Sequence, residues 1–579
     1  MNSKTKKSLQ SLGLVAAFSL LGTTAFAGVL KKPYLIYEMP NTTMTVLWQD
    51  NAVETTNTIS WGTDTSYALG SATVPEETRP GTVNQHKYKI TGLAPNTRYY
   101  YQVADSGSGL VYGTGSFITA PEENATSVKF IGQGDSRSQP FALNNLMKTV
   151  KAFSAQSPDF AEYQRLTIAN GDWVSTDGES YWTSEWFVPA MTDIAAYTAS
   201  TPMDGVKGNH DNSSGYSTTF TKYWPFPYPN ATLKAGSAAT YNNLYWSMDY
   251  GPVHVTYVDE YSSYAPGSAQ YNWLVSDLAN TTKPWKILVY HEPSYSSGKD
   301  ADNVAARALE PLVTQYNVDL IFAGHSHNYA RTGAYTAAQA NGDQIALNVP
   351  HFTSGGGGAP IYQPDYSNAG NFPHVITAWP AYQFMTFDVN GKNLTMNAYQ
   401  VNNVSNSAIT PLSSSFPAAD GAATLSVSLI EQVALHHFTN VAAQITATTS
   451  NFVYNRATKL YTGNLTLTNN GPALSGKIDV VLDGMVHLQG IGSADNEYST
   501  ASPKVTSKIA NKPATGKGSS DPGLLANVTL TNATGSNNGE PMIQASSTGL
   551  AKGASVTVAL SFSNPTNIEI KFNPVTYQE

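Results

Sequence analysis

Four apolar runs in the middle of the chain each end on a residue that can bind a metal ion. Phe130-Ile-Gly-Gln-Gly134 leads into Asp135 and Leu166-Thr-Ile-Ala-Asn-Gly171 into Asp172. Trp285-Lys-Ile-Leu-Val-Tyr290 leads into His291 and Leu320-Ile-Phe-Ala-Gly324 into His325. Runs nearly continuous in apolar residues suit strands of a sheet covered on both faces. The carboxyl ends of strands in an open α/β sheet are where ligands and active sites gather. A glycine just before the ligand lets the backbone turn tightly and leaves room beside it. Two further signatures complete the series: Gly208-Asn209-His210-Asp211, and His327 two residues beyond His325. A single Gly-Asp pair means nothing, but the whole series in order, most members directly after a strand-like run, is a coherent pattern.

The chain has 579 residues, too many for one core, so two to four domains are expected. Lys4, Lys6 and Lys7 precede an apolar stretch from Leu12 to Leu21, and Ala25-Phe26-Ala27 forms a small-x-small cleavage site. Residues 1–27 therefore read as a cleaved signal peptide, which implies a secreted or periplasmic protein. Residues 28–121 read as all-β, with alternating Met44-Thr-Val-Leu-Trp48 and a turn-plus-strand pattern Leu93-x-Pro95-x-Thr97-x-Tyr99-x-Tyr101. A buried tryptophan with a tyrosine near a late strand is a β-sandwich signature, so this region resembles a fibronectin type III-like module. Residues 125–402 alternate strand-like runs with helix candidates such as Phe141 to Phe153 and Ala305 to Gln315, which predicts a layered α/β domain. Beyond about 403 the chain is rich in Ser, Thr, Asn, Gly and Ala, and 420–579 read as a C-terminal β-sandwich domain. His436, His437 and His487 fall there without a ligand pattern and read as structural or surface histidines.

The donor set narrows the chemistry. The chain contains no cysteine, so any metal is held by oxygen and nitrogen. Asp135, Asp172 and Asn209 with His291, His325 and His327 suit zinc, iron or manganese. A carboxylate can bridge two metals about 3.5–4 Å apart, an arrangement that clamps the attacking and leaving oxygens of a phosphoryl displacement. The net charge of -9 argues against nucleic acid as a main partner. No later stretch is long and apolar enough to span a bilayer.

On these motifs, with Gly324-His325-Ser326-His327-Asn328-Tyr329-Ala330-Arg331, Tyr250-Gly251-Pro252-Val253-His254 with Asp259, and Gly355 to Gly358, the chain resembles the calcineurin-like metallophosphoesterases, purple acid phosphatase-like branch. The resemblance covers about residues 29–402. It implies a layered α/β/β/α catalytic domain behind the fibronectin-like module and a dinuclear metal centre. Asp135 and His327 would hold the first metal, Asp172 would bridge, and Asn209, His291 and His325 would hold the second. It further implies a small phosphate ester as substrate, attacked in line by a metal-activated water. His210 would serve the phosphate or the leaving alkoxide, with Asp211 orienting its ring.

The chain departs from the family at three points. Ser175 stands where the purple enzymes have a tyrosine, so a tyrosinate bond to iron is not expected. Arg137 stands where many relatives have a histidine, and reads either as a phosphate clamp or as an ion pair that orients Asp135. No histidine follows His291 on the substrate side, where Tyr295 or Lys299 are the nearest substitutes. The expected activity is phosphomonoester hydrolysis. A phosphodiesterase, a nucleotide or phospholipid phosphoesterase on the same site, and a non-catalytic cell-surface binding protein remain open.

Overall fold

A computed structural model describes residues 28–579 apart from internal stretches, of which 484–504 and 507–527 are the longest. The others are 52–55, 79–83, 213–217, 234–240, 298–299, 333–334, 339–343, 348, 365–374, 415, 417–423, 538–539 and 565–569. The proposed signal peptide, Lys299 and His487 lie outside the described residues.

The N-terminal region is a sandwich of a three-stranded and a four-stranded antiparallel sheet. Its core contains Trp48, Ile59, Tyr101, Val103 and Phe117. The Leu93–Tyr101 pattern forms the predicted turn and strand: the Ala94 N–H donates to the Tyr99 hydroxyl at 2.9 Å, and Tyr99 is the second residue of the strand Arg98–Asp105. The aromatic positions of that strand alternate inward because side chains change face at every residue.

The central region carries two mixed sheets packed face to face. One is six-stranded, in the order Met203–Gly205, Thr167–Ala169, Ser127–Gln133, Gln383–Asn390, Asn393–Asn402, Ser426–His436. Its first three strands are parallel. The other is seven-stranded, with Val253–Tyr257, Trp285–Val289, Leu320–Ala323 and His351–Ser354 parallel and in that order. Phe130, Phe322 and Phe387 meet between the sheets. Helices Pro140–Ser154 and Thr192–Thr198 cover the first sheet, burying Leu143, Leu146, Val150 and Ile194. Helix Ala269–Asn280 and the segment Val304–Gln315 cover the second through Leu274, Leu278, Leu309 and Leu312. The layered α/β/β/α expectation holds.

Two details differ from the sequence reading. The single helix expected over Ala305 to Gln315 is a 3₁₀ turn Val304–Leu309 followed by an α-helix Glu310–Gln315. Pro311 is the reason, since it brings no N–H and its ring crowds the preceding turn. The central domain also runs past residue 402. Strand Ser426–His436, expected in the C-terminal sandwich, pairs antiparallel along Asn393–Asn402. The composition shift near 403 marks surface character, and composition does not encode which edge a strand joins.

The remaining chain forms two further antiparallel sheets around Phe452, Leu465, Val480, Ile543 and Phe562. His437 joins this part to the central domain by stacking on Trp285 at 3.8 Å and pairing with Asp319. His436 is bonded to Asn393 and to the Ser536 carbonyl. Both are structural, as expected. No helix among the described residues is long and apolar enough to cross a membrane.

Candidate metal centre

The parallel strands of both sheets deliver their carboxyl ends to one place. Asp135 follows Ser127–Gln133, Asp172 follows Thr167–Ala169, and Asn209 lies four residues beyond Met203–Gly205. His291 follows Trp285–Val289 and His325 follows Leu320–Ala323. Three of these are non-glycine residues in the left-handed region: Asp135 at φ 57°, Asp172 at φ 53° and His325 at φ 67°. Each such residue costs on the order of 1–3 kcal/mol, a strain that concentrates at functional sites. The preceding glycines are sterically required. A Cβ on Gly208 would lie 2.1 Å from Asp172 Oδ1, and one on Gly324 2.6 Å from Asp135 Oδ2.

All six predicted ligands come together. Asp135, Asp172 and His291 are buried and offer donor atoms within 4.8 Å of one another. His291 Nε2 lies 3.2 Å from Asp172 Oδ1 and 3.1 Å from Asn209 Oδ1. His325 Nδ1 lies 3.0 Å from the same Asn209 oxygen. His327 Nε2 lies 3.5 Å from Asp135 Oδ1. The far nitrogens of two rings are fixed by backbone: His291 Nδ1 donates to Asn170 O and His327 Nδ1 to Pro360 O, both at 2.8 Å. A carbonyl on one ring nitrogen sets the tautomer and leaves the other nitrogen's lone pair for a metal.

Burial alone would raise Asp172, but the charge of His291, then those of His210 and Arg137, outweigh it and hold its carboxyl well below the usual carboxylate range. Burial opposes the charged form of His291, and Asp172 and Asp135 outweigh it, pushing the imidazole up to about 10. His325 is lowered by burial and by the neighbouring His291 charge. The donor set fits a pair of cations. Asp135 Oδ1 is fully buried with no hydrogen-bond partner, a state expensive for a carboxylate unless a cation compensates it.

Arg137 pairs with Asp172, not with Asp135: Nε donates to Asp172 Oδ2 at 3.0 Å, and Nη2 stands 3.2 Å from His327 Nε2. The alternative in which it orients Asp135 is therefore corrected, because its guanidinium reaches across to the Asp172 loop. His210 donates its backbone N–H to Asp172 Oδ1 at 2.9 Å, and its Nδ1 lies 2.8 Å from the Ser175 carbonyl. Asp211 does not orient that ring. Its buried carboxylate accepts the backbone N–H groups of Gly208, Trp173 and Val174, which ties the Asp172 loop to the Asn209 loop. Burial, then the Asp172 charge, raises Asp211 well above the usual carboxylate range.

Ser175 thus contributes its carbonyl to His210, while its hydroxyl meets Ser138 Oγ at 2.8 Å. Tyr295 is no substitute for a substrate-side histidine: it is buried, packed edge-on to His351 and covered by Arg307.

Sequence reasoning missed several supporting groups. Asn170 and Pro360 act through carbonyls, which no side-chain motif reveals. Glu260 Oε2 accepts the N–H groups of both His291 and Glu292. Tyr362 stacks on His327 at 4.1 Å and donates its N–H to the His327 carbonyl at 2.9 Å. Glu185 Oε2 accepts the N–H groups of Ser138 and Ser175.

Comparison with known proteins agrees with this geometry. Residues 128–329 match the calcineurin-like phosphoesterase family and residues 31–126 the purple acid phosphatase N-terminal domain. Purple acid phosphatase 23 of Arabidopsis thaliana is 28% identical over 290 residues, covering 45% of this chain and 62% of the relative. Purple acid phosphatase 18 of the same plant is 32% identical over 164 residues, 26% of this chain and 35% of the relative. The chain spans only 49% to 62% of the length of the first three such relatives. In fold, a purple acid phosphatase from yellow lupin (Lupinus luteus) seeds superposes with a TM-score of 0.51 at 18% identity, over 64% of this chain and 72% of the other. PhoD superposes with a TM-score of 0.51 at 12% identity, over 70% and 90%. The chain thus carries a calcineurin-like phosphoesterase domain behind a purple acid phosphatase N-terminal domain, and is similar to purple acid phosphatases over part of their length.

Proposed function

We propose that the protein is a secreted or periplasmic dinuclear metal phosphoesterase that hydrolyses phosphomonoesters. The observation that carries this reading is the buried Asp135–Asp172–His291 group, with Asp135 Oδ1 accepting no hydrogen bond and Asn209, His325 and His327 converging on the group. Asp135 and His327 would hold one metal, Asp172 would bridge, and Asn209, His291 and His325 would hold the other. Zinc, iron and manganese all suit these donors. Two bound ions would activate a water for attack and offset the charge that builds on the phosphoryl oxygens.

The chain's own groups do the rest. Arg137 sits on the Asp172 side with a planar fork suited to phosphate oxygens, which favours the doubly charged phosphoryl group of a monoester. His210 carries its Nδ1 proton toward the Ser175 carbonyl, so proton delivery to a departing alkoxide falls to Nε2. Asp211 braces the two loops that carry these groups. The basic, apolar and small-residue pattern of residues 4–27 supports export.

The test is Asp172→Ala. It is expected to abolish turnover of a chromogenic phosphomonoester and to lower the metal content. Normal turnover by this variant would overturn the bridging assignment.

A further inference from the structure

Arg137 and Ser175, whose carbonyl anchors His210, stand on two separate loops, one after each of two neighbouring strands, and a single oxygen ties those loops together. Glu185 Oε2 accepts the Ser138 N–H at 2.9 Å and the Ser175 N–H at 2.8 Å. Each of those residues is one step from a group assigned to the substrate. Ser138 follows Arg137, holds φ 71°, and offers its Oγ to Arg137 Nη1 at 3.0 Å. Ser175 gives its carbonyl to His210 Nδ1 at 2.8 Å. The two serine hydroxyls meet each other at 2.8 Å. A left-handed non-glycine residue persists only where its surroundings over-determine it, and the Glu185 carboxylate is one of the groups that fix Ser138.

Glu185 is itself rigidly mounted. It lies in the π-helical turn Trp182–Trp186, whose two tryptophans are buried. Such turns recur at functional sites. Trp186 packs edge-on to Trp173 at 5.2 Å, beside Asp172. Phe187, next in sequence, packs on Tyr34 of the N-terminal module at 5.2 Å. Lys31 of that module pairs at 2.7 Å with Glu179, which precedes the turn. The N-terminal module therefore supports the turn that carries Glu185.

We propose that Glu185 is a positioning residue for phosphate-ester hydrolysis, pinning the Arg137 loop and the Ser175 anchor of His210 in one register. The proposal rests on the phosphoesterase reading, since it assigns Glu185 no contact with substrate or metal. It separates two kinds of substrate. An alkyl phosphate needs its leaving oxygen protonated and so depends on where His210 stands, whereas a 2,4-dinitrophenyl phosphate has a leaving group that departs without a proton.

The experiment compares the full-length protein with Glu185→Ala and Glu185→Gln on both esters, and follows amide hydrogen exchange at Ser138 and Ser175. Glu185→Ala is expected to slow the alkyl ester by roughly tenfold or more, as for loss of other outer-shell partners. Its effect on kcat for the dinitrophenyl ester should stay within about threefold, because proton delivery is not required there, while a displaced Arg137 would show as a raised KM on both esters. Protection of the two amides should fall, with the metal content unchanged. Glu185→Gln keeps an acceptor oxygen and should restore both the selectivity and the protection. Equal losses of kcat on both esters, no loss on either, or unchanged protection would overturn the proposal. Wild-type protein inactive on both esters would contradict the phosphoesterase reading instead, and the two amides would still decide whether the pin exists.

Discussion

The segment Gly324 to Arg331 serves two clusters a few residues apart, and they treat charge in opposite ways. At its start, His325 and His327 enter the candidate metal centre, where Asp135 Oδ1 is buried without a hydrogen bond and imidazoles converge on one amide oxygen. At its end, Arg331 meets Glu431 through two parallel bonds, at 3.0 Å from Nε and 2.6 Å from Nη2. Tyr329 and Thr377 donate to the same carboxylate at 2.7 and 3.2 Å. The second cluster is closed and ties the second sheet to the last strand of the first. The first cluster is left open in its bonding, and that is what marks a site rather than a clasp.

The largest test of this contrast breaks the clasp. Arg331→Met should lower stability by about 3–5 kcal/mol in denaturant titration, because Glu431 is left as an uncompensated buried charge. Adding Glu431→Leu should recover most of that loss. A variant as stable as wild type would show that the pair is not a closed unit.

The open cluster should respond in function instead. Arg137→Ala is expected to raise KM for a phosphomonoester by roughly tenfold or more, the cost of one charge-assisted bond, while stability changes little. A stability loss as large as that of Arg331→Met, with KM unchanged, would make Arg137 another clasp.

A third cluster extends the comparison to pH. His254 lies between Asp249 at 2.7 Å and Asp277 at 3.0 Å. Burial opposes its charge, but the bonds to Asp249 and then Asp277 prevail and push it up to about 9. The folded value is raised, so the stabilisation is fully present below the unfolded imidazole value near 6.5 and is lost as pH rises toward 9. With Asp249 partly exposed, that loss should be about 2 kcal/mol between pH 6 and pH 9.5, and it should vanish in His254→Gln. Equal pH slopes in the two proteins would contradict the assignment.

The smallest effect concerns the aromatic cover of the site. Tyr362→Leu removes the ring stacked on His327 and should weaken metal retention by about 0.5–1.5 kcal/mol, read as the chelator concentration that strips the protein.

These clusters also explain what the sequence could and could not reveal. Asp135, Asp172 and His325 were legible because each ends an apolar strand at a glycine-tightened turn, and His291 because it directly follows such a strand, so the motif and the geometry share one cause. The roles of Asp211, Arg137 and Ser175 were not, because a partner across 35 to 40 positions is set by how two loops pack. Backbone carbonyls such as those of Asn170 and Pro360 leave no trace in residue type. Ser426–His436 was misassigned because its alternation identifies a strand but not its neighbour, and the Arg331–Glu431 pair that fixes it joins residues 100 positions apart.

Elemental analysis of the purified full-length protein, alongside Asp172→Ala, tests the dinuclear centre most directly. Two metal ions per chain in the wild type, and a clear deficit in the variant, are predicted. A wild-type protein that binds no metal when offered zinc, iron or manganese would contradict the dinuclear centre and the function built on it.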